Sequence, residues 1–80
     1  MPKDCDDLLQ KARSSPQSLR FSEVCRLAEC YGFRKARQSG SHAIYKRPGI
    51  FSLMNFQNDK GMAKQYQVEQ LLAFIDGVEP

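Results

Sequence analysis

Tryptophan is absent from this chain of 80 residues, histidine occurs once, and the five glycines and four prolines follow no period. Collagen-like, repeat and low-complexity architectures are excluded on that basis. No apolar run approaches the roughly 20 residues that span a bilayer. The opening Met-Pro-Lys-Asp-Cys-Asp-Asp has no apolar stretch of the secretory type. A soluble cytoplasmic protein without membrane contact is the expectation. The three cysteines, Cys5, Cys25 and Cys30, are odd in number and show no C-x-x-C spacing. They read as small buried hydrophobes in a reducing compartment rather than as a disulfide framework. A zinc site joining all three to His42 fails on its spacings.

The most informative shortage is of acid. Residues 30–58 contain no Asp or Glu but carry Arg34, Lys35, Arg37, Lys46 and Arg47, a local charge of +5 in a chain whose net charge is +3. Residues 1–29 balance to zero, and residues 59–80 sum to −2. Such a concentrated positive field suits a polyanion: RNA, DNA or an acidic protein face. The same shortage argues against two-metal nuclease chemistry, which needs clustered carboxylates, and Asp59 stands alone. No cofactor is expected. Without a metal, acid–base chemistry is feasible on RNA, whose 2′-hydroxyl is a built-in nucleophile, and hardly on DNA, for which no direct binding is expected.

At 41% hydrophobic and 26% charged, the composition is globular, and the length sets a single domain over residues 1–80. A core this small nets about 3–5 kcal/mol, which leaves no room for a deep cofactor pocket. The protein should act through a surface.

The pattern along the chain predicts a first helix over residues 4–14, with Leu8, Leu9 and Ala12 on one side, broken by Ser14-Ser15-Pro16. A second helix is expected from Ser22, as its N-cap, to Tyr31, with Gly32 as the stop. Phe33–Gln38, His42–Lys46 and Ile50–Phe56 read as strands joined by Ser39-Gly40-Ser41 and Arg47-Pro48-Gly49 turns. A loop over Asn58–Gly61 precedes a last helix, Ala63–Ile75, striped by Val68, Leu71, Leu72 and Ile75 and ended by Gly77. The order α-α-β-β-β-α implies an α+β domain: a three-stranded antiparallel sheet with helices on one face and the other face open. Phe33, Phe51, Phe56 and Phe74 are assigned to the core; Tyr66 either stacks on a base or forms the core edge, with the edge slightly favoured. Among the strand aromatics, Tyr45 is the one suited to base stacking.

His42 is the candidate for chemistry. It follows a Gly-Ser turn inside the acid-free stretch, where the ring is accessible and neighbouring cations attract phosphate. Strand parity groups His42, Ile44 and Lys46 on one face without saying which face the helices cover. Lys60 and Lys64 lie before a helix start, where the macrodipole disfavours cations, and so ask for something negative such as a phosphate.

The run Glu29-Cys30-Tyr31-Gly32-Phe33, followed by Arg37-Gln38-Ser39-Gly40-Ser41-His42-Ala43-Ile44-Tyr45, resembles the HicA toxin family of bacterial type II toxin–antitoxin systems, with its Gly-Phe and Arg-Gln-x-Gly-Ser-His elements. Lys64-Gln65-Tyr66-Gln67-Val68-Glu69-Gln70-Leu71-Leu72 resembles the C-terminal helix of one branch of that family. The resemblance covers about residues 21–76, the core unit, and leaves residues 1–20 as an added helix and connector; it implies a fold like the double-stranded-RNA-binding domain (dsRBD) and a ribosome-independent mRNA interferase. It also implies a catalytic histidine, falling on His42, and a HicB-like antitoxin as partner. With it, Lys35, Arg37, Gln38, Ser39, Gly40, Ser41, Lys46, Lys60 and Lys64 become the expected RNA-binding set. Two departures stand out. Asn55-Phe56-Gln57 occupies the place of the family's Pro-x-His segment, and Gly61-Met62-Ala63-Lys64 that of its Lys-Gly-Thr-Leu helix start. A second histidine is therefore missing, and the chain could also be a non-catalytic RNA-binding module or a protein-interaction domain.

Overall fold

A computed structural model describes residues 2–49 and 53–78. Helix α1 (Pro2–Ser14) leads through a 3₁₀ turn at Pro16–Ser18 into α2 (Phe21–Cys30). Strands β1 (Arg34–Ser39), β2 (His42–Lys46) and β3 (Met54–Gln57) follow, and α3 (Gln65–Val78) closes the order α-α-β-β-β-α. The sheet is antiparallel with β2 in the centre, in the order β1-β2-β3. The expected α+β architecture is what forms, and the dsRBD-like description is consistent with it.

Period-2 alternation decides which sheet face is covered. On β2, Ala43 and Tyr45 are buried, and on β3, Met54 and Phe56. Their side chains join Val24, Leu27 and Ala28 of α2, Val68, Leu71 and Ile75 of α3, and Leu8 and Ala12 of α1 in one core. Phe33, fully buried, meets Phe74 edge-on with ring centroids 5.0 Å apart. His42, Ile44 and Lys46 therefore face the open side.

Element boundaries differ from expectation where a local hydrogen bond decides them. Helix α2 begins at Phe21 with Arg20 as N-cap, not Ser22: the Arg20 N–H donates to Glu23 Oε1 at 2.9 Å, satisfying a free donor of the first turn. It ends at Cys30, and Gly32 turns the chain at φ +93°, with Arg47 Nε 3.1 Å from where a Cβ would stand. Strand β1 is shifted one residue later than expected, and β3 covers Met54–Gln57 rather than Ile50–Phe56. Residues 50–52, Phe51 among them, lie outside the described residues. Helix α3 starts at Gln65: Lys64 O accepts the first helical bonds, from the Gln67 and Val68 N–H groups, while the Ala63 N–H donates to Leu19 O at 3.0 Å. Gly77 does not stop it.

The cysteines correct a second expectation. Cys5 of α1 and Cys30 at the end of α2 form a disulfide with Cα atoms 6.0 Å apart, and only Cys25 is a free buried thiol. Cys25 and Cys30 diverge on α2 as five-residue spacing requires, one toward the sheet and the other toward α1. An odd count thus hid a pair plus one, and cysteine number no longer points to a reducing compartment. The thiol of Cys25 is pushed up by burial. Besides the disulfide, α1 is held by the burial of Leu8 and Ala12 and by surface ion pairs. These are Lys11–Glu23 at 2.9 Å, Arg13–Asp76 at 2.8 Å, and Arg26–Asp4. Pairs this exposed contribute about 0.2–1 kcal/mol each, so burial and the covalent bond dominate.

Cross-linking across 25 residues of chain stabilises by about 3.5 kcal/mol in the chain-entropy model. Reduction, or Cys5→Ser with Cys30→Ser, should therefore lower the denaturant midpoint clearly while far-UV circular dichroism keeps the helical signal of α1. An unchanged midpoint would show that the bond adds nothing to stability. Acid should act at the α2 N-terminus. Burial alone would raise the Glu23 carboxyl, but the Arg20 N–H and the Lys11 ammonium outweigh it and hold it below the ordinary glutamate range. That contribution is complete above the ordinary range and is lost as pH falls through the lowered value. Glu23→Gln should flatten this part of the acid stability profile.

Candidate functional site

The candidate site is built on the hairpin between β1 and β2. Gly40, at φ +60°, occupies the left-handed region that the short Gly40-Ser41 connection needs, so Ser39 and His42 pair directly across it. His42 thereby becomes the first residue of the central strand. On its other side it pairs with Gln57 of β3, and Ile44 pairs with Asn55.

A register shift between Lys35 and Arg37 divides the basic residues of β1 between the two faces. Arg37 stands opposite Ile44 and Ser39 opposite His42, so both share the open face. Lys35 stands opposite buried Tyr45 and Gln38 opposite buried Ala43, which places them on the helix side of this edge strand. There Lys35 Nζ donates to Gln38 Oε1 at 2.9 Å, and Gln38 Nε2 to Gly40 O at 3.3 Å. The pair braces the turn that presents His42.

On the open side, Ala36, Arg37, Ser39, His42, Ile44, Lys46 and Leu53 line a shallow cleft of about 500 Å³. Its floor is apolar, with Leu53 54% exposed, and its rim is cationic. His42 is exposed, and its Nδ1 lies 3.2 Å from Asn55 Oδ1. Among the described residues no cluster of three His, Cys, Asp or Glu side chains is placed to hold a metal ion. The zinc set weighed from sequence is taken apart by the Cys5–Cys30 bond.

Lys60 and Lys64 reach the same end of the sheet by a different route. The Asn58 N–H donates to Ser41 O at 2.7 Å, tying the loop before α3 to the hairpin turn. Asn58 Oδ1 accepts the Gly61 N–H at 2.7 Å, and paired Asp59–Met62 backbone bonds close the loop, with Lys60 exposed at its tip at φ 54°. Lys64 Nζ lies 3.2 Å from Asp59 Oδ2. The negative group asked for by a lysine at this helix start is supplied within the chain, leaving Lys60 as the more open cation of the two.

Two aromatic assignments reverse. Tyr45 is 4% exposed, under the sheet beside Phe56, with its hydroxyl 3.5 Å from Glu29 Oε2, and burial raises its phenol; it cannot stack on a base. Tyr66 is 61% exposed rather than part of the core edge. The inward position beside it is taken by Gln67, whose Oε1 accepts the Gln57 N–H at 2.8 Å and anchors β3 to α3. Asn55 and Leu53 were missed as site residues. The signal for Asn55 lay in the apolar–polar–apolar order Met54-Asn55-Phe56, which turns it toward the polar face.

Comparison with known families gives a match over residues 21–72 to the model of the HicA toxin of bacterial toxin–antitoxin systems. The chain belongs to the HicA toxin family. It is accordingly a toxin of a toxin–antitoxin system, and membership implies a cognate antitoxin. No curated protein and no solved structure matches. The matched stretch holds α2, the whole sheet and most of α3, and α1 lies outside it. Among the described residues, no helix of this HicA chain is long and apolar enough to cross a membrane.

The split of the basic residues predicts a split in binding. Arg37→Ala and Lys46→Ala should each weaken binding of an RNA oligonucleotide and reduce the salt slope by about 1 for each phosphate no longer neutralised. Lys35→Ala, on the other face, should leave the slope near wild type. Fluorescence anisotropy across a salt series reads both, and equal weakening by all three variants would mean that the open face is not the contact surface.

Proposed function

We propose that this HicA protein is a metal-independent, ribosome-independent endoribonuclease acting on mRNA in the cytoplasm and inhibited by a cognate HicB-like antitoxin. The observation that carries the reading is the position of His42: exposed on a cationic cleft within a stretch of chain free of acidic residues. Single-stranded RNA laid across the open face would meet Arg37 and Lys46 at the rim and Ser39 beside the histidine. Gly40 and Ser41 at the turn offer backbone close to a phosphate, and Lys60 and Lys64 extend the cationic track at the same end. Lys35 and Gln38 contribute by bracing the turn.

In the reaction, the imidazole removes the proton of a 2′-hydroxyl. The 2′-oxygen attacks the adjacent phosphorus, and the bond to the 5′-oxygen breaks. That oxygen leaves with a proton from solvent or from the imidazolium just formed. The products are a 2′,3′-cyclic phosphate and a 5′-hydroxyl, and no redox partner or metal enters the balance. Positioned acid–base catalysis of this kind contributes roughly 10²–10⁴-fold.

Incubation of end-labelled RNA in EDTA, wild type beside His42→Ala, tests the proposal. Wild type should cut and leave cyclic-phosphate ends, and the variant should lose roughly 10²-fold or more in rate while its RNA affinity stays close to wild type. A parallel collapse of affinity would remove His42 from the chemical step. Intact RNA with both proteins, despite binding, would replace the nuclease reading with a non-catalytic RNA-binding module.

A further inference from the structure

We infer that Asn55 is the positioning residue for His42: it fixes the ring with the proton on Nδ1 and so leaves Nε2 as the basic nitrogen. The inference rests on the reading of His42 as the group that takes the 2′-hydroxyl proton. Asn55 lies in β3 on the open face, opposite Ile44 and diagonal to His42, and its Oδ1 is 3.2 Å from Nδ1. An amide carbonyl oxygen can only accept a hydrogen bond, so this contact is a hydrogen bond in the tautomer that carries hydrogen on Nδ1. In a neutral imidazole the other nitrogen then holds the free lone pair.

Both partners stand on paired strands rather than loops. His42 is held by its pairings with Ser39 and Gln57, and Asn55 by its pairing with Ile44, so the contact depends on sheet register. The identity of the partner also has a reason. A carboxylate in this place would orient the ring equally well, as in serine-protease triads. It would also set a negative charge on the surface that must receive phosphates. A neutral amide orients the ring without that repulsion. Asn55 thus joins the acid-free stretch in keeping the face attractive to RNA.

The test combines long-range ¹H–¹⁵N spectra of the His42 ring, recorded at a pH where it is neutral, with single-turnover cleavage. Wild type should show a protonated Nδ1 and an unprotonated Nε2. Asn55→Ala should lose that preference and cut roughly tenfold or more slowly at saturating RNA with KM little changed. Asn55→Asp should restore the tautomer while KM rises. A wild-type ring protonated at Nε2, or an Asn55→Ala protein with unchanged tautomer and rate, would overturn the assignment even if cleavage is real. A wild-type protein with the expected tautomer that cuts no RNA would overturn the nuclease reading and leave the Asn55–His42 geometry standing.

Discussion

Strand β2 passes through the middle of the molecule, and its alternation governs almost everything else. Ala43 and Tyr45 must enter the core, because the helices offer an apolar surface only on that side. With those two turned inward, His42, Ile44 and Lys46 have no choice but to face out. A one-residue slip would bury an imidazole and an ammonium while exposing Tyr45, a cost no small core could offset. The core therefore holds the site in register although it contributes no functional atom. The Gly40-Ser41 turn, the Lys35–Gln38 brace and the Gln57–Gln67 anchor all reinforce that register from the sheet edges.

Electrostatics works alongside this constraint through what is left out. Two unit charges 4 Å apart interact by about 1 kcal/mol in bulk water and about 4 kcal/mol at the effective dielectric of a protein surface. A single carboxylate beside His42 would thus offset one of the phosphate contacts that the rim cations could make. Two acids near the sheet are already engaged. Glu29 approaches the buried Tyr45 hydroxyl, and Asp59 is taken up by Lys64. A neutral amide facing His42 follows the same rule.

Much of the fold was legible in the sequence because it is written in local periodicity. Apolar residues at helical spacing, a Gly-Ser hairpin and the Met54-Asn55-Phe56 alternation require no tertiary information. The candidate site was legible as far as His42, whose neighbours in sequence are also its neighbours in space. What escaped depended on distance along the chain or on a break in parity. Asn55 reaches His42 across a strand pair, Gln67 meets Gln57 from another element, and Cys5 finds Cys30 across a helix-to-helix packing. The register shift after Lys35 reverses a simple alternation count, so Lys35 and Arg37, two residues apart, end on opposite faces. Tyr45 departs from expectation for a related reason: a basic neighbour in sequence, here Lys46, says nothing about the face that a strand residue occupies.

Helix α1 shows how a chain can add to such a domain without disturbing its working surface. The open sheet face carries the cationic cleft, and the added element lies in the helix layer instead, where α1 packs against α2 and α3. Leu8 and Ala12 extend the core, Lys11 shares Glu23 with the α2 N-terminus, and Arg13 reaches Asp76 on α3. Small domains are short of buried area, and each apolar side chain covered on the far side adds to it without narrowing the cleft. The Cys5–Cys30 bond makes part of that support dependent on redox conditions, since it persists only where thiols are oxidised. The rest of that support, the burial of Leu8 and Ala12, is not covalent and carries no such redox dependence.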